Sequence, residues 1–173
     1  MARDQHNQDE LYEQAIAAHG AALARLARAV EADADRARDL EQDMHFGLWR
    51  SFAAFDGRCA LGTWTYRVAH NIAAGHGRDG AKAATLVSLD EAEAIADESD
   101  PERNAGEAHA LARLHRLIAR LTAADRTVIL LWLEGLDAAA IGEVVGLSSG
   151  NVAVKTHRIK ALLARHFEKG NPA

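Results

Sequence analysis

Along the first eighty positions, large apolar residues recur at spacings of three and four. Tyr12, Ile16, His19, Leu23, Leu26 and Val30 form one such stripe, which is the signature of an amphipathic helix. Asn7 or Asp9 stands where its N-cap is expected. A second stripe runs through Ala37, Leu40, Met44, Leu48, Phe52 and Phe55. A third helix is expected from about Thr63, carrying Trp64, Val68 and Ile72. Between the second and third lies DGRCALG (Asp56–Gly62), whose two glycines predict an irregular loop.

The C-terminal part is punctuated more sharply. Leu111, Leu114, Leu117, Ile118 and Leu121 make a helical stripe. Thr122 with Asp125 resembles a capping box, Asp replacing the usual Glu. The helix that follows carries Val128, Leu131 and Trp132 and is expected to stop at Gly135, a left-handed cap. Asp137 caps a short helix with Ile141, Val144 and Val145, which stops at Gly146. Leu147 and Ser148 form the turn, and Ser148 caps a last helix. That helix carries Val152, His157 or Ile159, Leu162, Leu163 and Phe167. Two helices joined by a tight glycine turn predict a helix-turn-helix. The N-terminal residues of its second helix enter the major groove. Ser149, Asn151, Lys155, Thr156 and Arg158 are expected to be exposed there, as donors and cations suited to phosphates and base edges. Taken alone, the pattern also fits a helical hairpin that merely packs.

Composition supports an all-α fold. Ala supplies 38 of the 173 residues, and it is the best helix former. Two Pro and nine aromatics argue against a strand-rich chain. The single Cys59 excludes a disulfide framework and a Cys-rich zinc site. No apolar stretch approaches membrane-spanning length, so no membrane insertion is expected. The polar, acidic start MARDQHNQDELYE is unlike a secretory signal, and a cytoplasmic location is expected. Nine His invite a search for metal sites. There is no H-E-x-x-H, and His109 and His115 lie six apart, off ligand spacing. Walker and Rossmann glycine patterns are absent too, so neither catalysis nor a cofactor is expected.

Charge changes the picture. Taken as a total, the net charge of −5 opposes a nucleic-acid partner. Its distribution is uneven: residues 79–110 carry nine acids and two bases, net −7, whereas residues 111–173 carry five acids and nine bases, net +4. The acidic stretch LDEAEAIADESDPE (Leu89–Glu102) follows a glycine-rich run and predicts a linker. Three segments result: a domain at 1–78, an acidic linker at 79–107 and a helix-turn-helix domain at 108–173.

Two blocks together resemble the extracytoplasmic-function sigma factors of the sigma-70 family. The first is DLEQDMHFGLWRSFAAFDGRCALGTWTYRVAHN (Asp39–Asn71). It is similar to the region 2 pattern D-L-x-Q-D/E, an aromatic and W, F-x-G, then T-W-x-Y-R-I/V-A-x-N. The second is LIARLTAADRTVILLWLEGLDAAAIGEVVGLSSGNVAVKTHR (Leu117–Arg158). It is similar to the region 4 pattern L-x-x-L-x-x-x-x-R, L-x-x-x-E-G-L, I-x-x-x-x-G-I/L-S-x-G-x-V, then H-R. The resemblance implies a region 2 helical bundle and a region 4 helix-turn-helix. It implies a monomer that joins core RNA polymerase through the largest subunit's clamp helices and the flap region, and directs it to promoter DNA. Asp39, Gln42, Asp43, Phe46 and Trp49 would dock on the polymerase. Phe55, Asp56, Gly57 and Arg58, with Asn71, would hold a flipped base of the −10 element, and Tyr66 and Arg67 would touch the strand. Ser148, Ser149, Asn151, Lys155, His157 and Arg158 would read the −35 duplex. Many relatives are held inactive by an anti-sigma factor, and the resemblance implies one here.

Several positions depart from the family pattern. Ala153 and Lys155 stand where Lys and Arg are frequent. AAGHGRDG follows Asn71 in place of a basic cluster, with Arg78 its one cation. Thr65 replaces a large aliphatic. The acidic linker has the charge to occupy an RNA channel as a polyanion mimic. The competing reading is a one-component dimeric helix-turn-helix regulator with residues 1–78 as a dimerisation or ligand domain. It accounts for the C-terminus but not for the Asp39–Asn71 block.

Overall fold

A computed structural model describes residues 2–31, 33–80, 114 and 116–168, with side chains described from 6 to 76 and up to 165 within these ranges. Leu111, the acidic linker and the side chains of Arg78 and Phe167 lie outside the described residues. Among the described residues, all regular structure is helical. The elements are α1 (Ala2–Val30), α2 (Ala34–Ser51), a 3₁₀ turn (Phe52–Ala54), α3 (Leu61–Gly80), a helical run at 116–120, α4 (Ala123–Leu133), α5 (Ala138–Val145) and α6 (Ser149–Glu168).

The first three helices pack on one another. Leu23 and Leu26 of α1 meet Leu40, Met44 and Leu48 of α2, all buried. Burying each of these large side chains stabilises the unit by about 1.5–3 kcal/mol. Ala15, Ala22 and Ala27 are buried on α1 as well, and their small size lets the neighbouring helices approach. Asp33 caps α2 by accepting from the Asp35 and Arg36 amides. The chain then tightens into the 3₁₀ turn, which buries Phe52 beneath the loop.

Two expectations for this part change. Helix α1 begins at Ala2, so Asn7 and Asp9 lie inside it and cap nothing. The fully buried line of α3 is Thr65, Tyr66, Ala69 and Ala73, while Trp64, Val68 and Ile72 are only half-buried. The cause is a second neighbour: α3 packs on α1 and α2 and also on α5. The buried hydroxyl of Thr65 donates to the Leu61 carbonyl at 2.8 Å, so a polar residue is accommodated at an aliphatic position.

The C-terminal unit follows its punctuation closely. The Asp125 amide donates to Thr122 Oγ1 (3.2 Å), and the Thr122 hydroxyl donates to Asp125 Oδ2 (2.8 Å). Asp137 accepts from the Ala140 amide and Ser148 from the Asn151 amide. Gly146 closes α5 at φ 74°. Gly142 has a separate reason to be Gly: a Cβ there would lie 2.5 Å from the Leu147 carbonyl oxygen, inside the turn. Ile159 is buried and His157 is exposed, which settles the face of α6. Trp132 is 38% exposed and not a core residue; Lys160 lies 4.5 Å over its ring, and Ile129 fills the core instead. Thr156 is buried, contrary to its expected exposure, because it falls on the same side of α6 as Val152 and Ile159.

The buried guanidinium of Arg126 joins three segments. It donates to Ala29 O of α1 (2.5 Å), Ala119 O (2.6 Å) and Leu121 O (3.0 Å). Burial lowers its pKa. An apolar replacement would leave these carbonyls without their cationic donor, at a cost of about 3 kcal/mol. Arg126→Met is therefore expected to lower the stability of the chain by about that amount in urea unfolding followed by circular dichroism.

Candidate nucleic-acid interface and its neighbouring groove

Helix α2 presents its outer side to an open groove of ≈ 580 Å³. Gln42, Phe46 and Trp49 line it with Tyr12, Arg38, Glu41 and His45. Phe46 is 60% exposed, with Arg50 5.6 Å over its ring. A solvent-facing Phe is anomalous on a helix whose core stripe is already complete. The N-terminal part of α1 holds the other wall. Trp49 Nε1 donates to Asp9 (2.8 Å), Gln8 Nε2 donates to the Trp49 carbonyl (2.6 Å), and Tyr12 Oη lies 2.8 Å from His45 Nδ1. These partners are 33 to 41 residues apart, so no local sequence signal connects them. Asp39 is exposed on the same helix. Asp43 is exposed too, but its carboxylate turns to α3 and pairs with His76 at 2.8 Å. The five residues expected to dock thus do not form one patch: Gln42, Phe46 and Trp49 share the groove and Asp43 faces away from it.

The loop before α3 is a second exposed feature. Gly57 sits at φ 71°, a conformation that favours glycine. Asp56 accepts from the Arg58 amide (3.1 Å), and its carboxylate pairs with the Arg58 guanidinium (3.1 Å). The base of the loop is aromatic. Phe55 packs edge-on against Phe52 and against Trp64, at centroid distances of 6.1 and 5.3 Å. Trp64 Nε1 donates to Ser51 Oγ (2.9 Å), and Arg67 lies 4.9 Å over the Trp64 ring. Trp64 is a brace linking loop, α2 and Arg67. Asn71 is exposed on α3, about three turns beyond Leu61. Tyr66 stands apart from this group at 3% exposure. Its ring packs edge-on against His19, 5.1 Å between centroids, with its hydroxyl 3.3 Å from His19 Nδ1. In this arrangement it reaches no external strand.

Ser148 in the turn between α5 and α6 is exposed, as are Ser149, Asn151, His157 and Arg158 on α6. Lys155 differs: its ammonium pairs with the buried Asp125 at 2.6 Å. Asp125 therefore serves both the Thr122 cap and α6.

Two family models match the chain: Sigma-70 region 2 over residues 15–82, and Sigma-70, region 4 over residues 111–163. The chain belongs to the sigma-70 family. The two matches fall on α1–α3 with the loop, and on the helix-turn-helix unit. The RNA polymerase sigma factor NccH of Alcaligenes xylosoxydans xylosoxydans is 26% identical over 159 residues, covering 87% of this chain and 83% of its own. The fold is similar to that of CnrH in its complex with the cytosolic domain of CnrY. The TM-score is 0.68 at 22% identity, over 98% of this chain and 96% of that one. Within the family this is an extracytoplasmic-function sigma factor, a transcription initiation factor.

Protonation is tuned where this sigma factor buries Tyr66. Burial, with the Glu134 carboxylate adding to it and Arg25 opposing, pushes the phenol up to about 12. A raised folded-state pKa contributes stability below the ordinary value of 10.0, which is lost as pH rises through about 12. Tyr66→Phe is expected to remove part of the alkaline loss of stability between these two values, measured by thermal melts against pH. On α6, Asp125→Asn frees the Lys155 ammonium. It is expected to steepen the salt dependence of DNA binding by about one ion, read from log affinity against log salt.

Proposed function

We propose that this sigma factor docks on core RNA polymerase through the α2 groove. In this reading Phe46 and Trp49 are the apolar anchors, with Gln42 beside them in the groove, Asp39 exposed on the same helix, and Asp43 joining at the cost of its pair with His76. Aromatic anchors bordered by polar groups are the usual composition of a high-energy contact. The exposed Phe46 beside the groove is the observation that carries this part.

In the same reading, the loop Phe55–Arg58 with Asn71 takes a base extruded from the −10 element. Extrusion costs a few kcal/mol, which a braced pocket recovers by stacking and hydrogen bonds. The Phe52–Phe55–Trp64–Arg67 cluster supplies such bracing, with Arg67 near the strand. Asn71 both donates and accepts at a base edge. Ser148, Ser149, Asn151, His157 and Arg158 read the −35 duplex, and Lys155 joins them at the cost of its bond to Asp125. The linker, at net −7, takes the path of RNA as a polyanion mimic. Replacing its acids by amides should alter abortive synthesis or promoter escape, and no change in either would remove that idea. The relative CnrH was solved with a protein partner, which supports a comparable anti-sigma partner for this chain.

Run-off transcription with purified core polymerase and a pool of promoters tests the reading as a whole. Promoter-specific transcripts are expected only when the chain is added, and failure to bind core polymerase would overturn it. Phe46→Ala with Trp49→Ala should weaken core binding by about tenfold or more without lowering the melting temperature by more than a few degrees.

A further inference from the structure

The side of α6 that faces away from its own core is apolar at its centre. Gly150, Val154 and His157 recur there at spacings of four and three, opposite the buried Val152, Thr156 and Ile159. Val154 is 60% exposed. Its neighbours on the helix surface are Gly150, Asn151, His157 and Arg158, all of them exposed. A β-branched residue is a modest helix former, and here it meets no core, so neither propensity nor packing accounts for it.

Gly150 raises the same question. It lies inside α6, its φ is not positive, and a Cβ added there would meet nothing within 4 Å. The fold therefore does not require glycine at 150, unlike Gly142 in the turn. Glycine in a helix is less stable than Ala, but it leaves room for something outside the chain to approach the backbone. The exposed cations stand at the edges of this strip, Arg158 on one side of Val154 and Lys160 further along on the other. Lys155 is drawn back to Asp125 at 2.6 Å, so the centre of the strip is neutral.

We infer that Val154 reads the 5-methyl group of a thymine in the −35 duplex, with Gly150 letting α6 come close enough to the groove floor for the contact. The inference rests on the proposed role of α6 as the −35 reader and adds the base chemistry it selects. Of the groups that distinguish base pairs in the major groove, the thymine methyl is the apolar one, and an apolar side chain is its natural partner. The flanking Arg158 and Lys160, and the net +4 of residues 111–173, match a polyanion better than an apolar protein surface. Arg158 and Lys160 then position the helix on the phosphates, and Val154 selects the base.

Holoenzyme assembled from core polymerase and the full chain first selects promoters from the pool used for run-off transcription. The best-bound promoter is remade with each −35 thymine in turn replaced by deoxyuridine, which removes the methyl and nothing else. At one or two positions this is expected to weaken binding about fourfold, the worth of one buried methyl group. Val154→Ala should bind the thymine duplex about fourfold more weakly and be indifferent to uracil at those positions. Gly150→Ala should keep or raise the melting temperature while weakening binding to the thymine and uracil duplexes alike. The inference is overturned by the absence of any methyl-sensitive thymine, by methyl sensitivity that survives Val154→Ala, or by Val154→Ala weakening core binding instead of promoter binding. Full affinity in Gly150→Ala overturns the close approach. The free chain goes through the same series. Methyl sensitivity that depends on Val154 there, without binding to core polymerase, would uphold the contact and reject the sigma-factor mechanism. Core binding and transcription with no methyl-sensitive thymine would do the reverse, and failure of both forms to bind any duplex rejects both.

Discussion

A guanidinium taken out of water has to be given acceptors, and Arg126 is given three backbone carbonyls. Two of them, Ala119 and Leu121, lie at the end of the helical run that leads into α4. The third, Ala29, belongs to α1. The two terminal nitrogens of one buried cation, whose Nε is left without a partner, therefore tie the entry to the helix-turn-helix unit and its seat on the N-terminal unit together. Neighbouring side chains reinforce that seat. Glu134 stands at the far end of α4 from Arg126 and meets Arg25, so α4 is held to α1 at both ends.

The candidate surfaces are placed around this arrangement rather than in it. The α2 groove opens beside the N-terminal part of α1, away from Ala29, with Asp9 and Tyr12 holding Trp49 and His45 in position. The loop before α3 rests on the Phe52–Phe55–Trp64 cluster. Helix α6 shows its N-terminal end to solvent while Val152, Thr156 and Ile159 face its own core. Tyr66 alone among the expected DNA contacts belongs to the packed junction. Its phenol is held neutral by the same burial that hides it.

Much of the fold was legible because its signals are local. Caps at Thr122, Asp137 and Ser148, and the stop at Gly146, follow from hydrogen bonds closed within three or four residues. The α2 stripe holds for the same reason: its core residues repeat with the helical period, and α2 lies in a single bundle. The reading slipped where a residue answered to more than one neighbour. In α3 the buried line rotated to Thr65 and Tyr66 because α5 covers a second side. Trp132, expected on the buried stripe of its helix, lies at the surface under Lys160, and Ile129 is buried. Local sequence offers Asn7 or Asp9 as a cap, whereas Asp9 lies inside α1 and accepts from Trp49, forty residues away.

The sequence by itself determined an all-helical chain, the boundaries of its C-terminal helices, the family and the residue types available for DNA and protein contact. Spacing, capping and motif order carry that information, and all are properties of neighbours along the chain. Tertiary structure alone decided which of those residues remain available. It paired Lys155 with Asp125, turned Asp43 toward His76, buried Tyr66 against His19 and tied Arg25 to Glu134. Each is a contact across 30 or more residues, made when helices with complementary faces pack, and no periodicity along one segment encodes its partner on another.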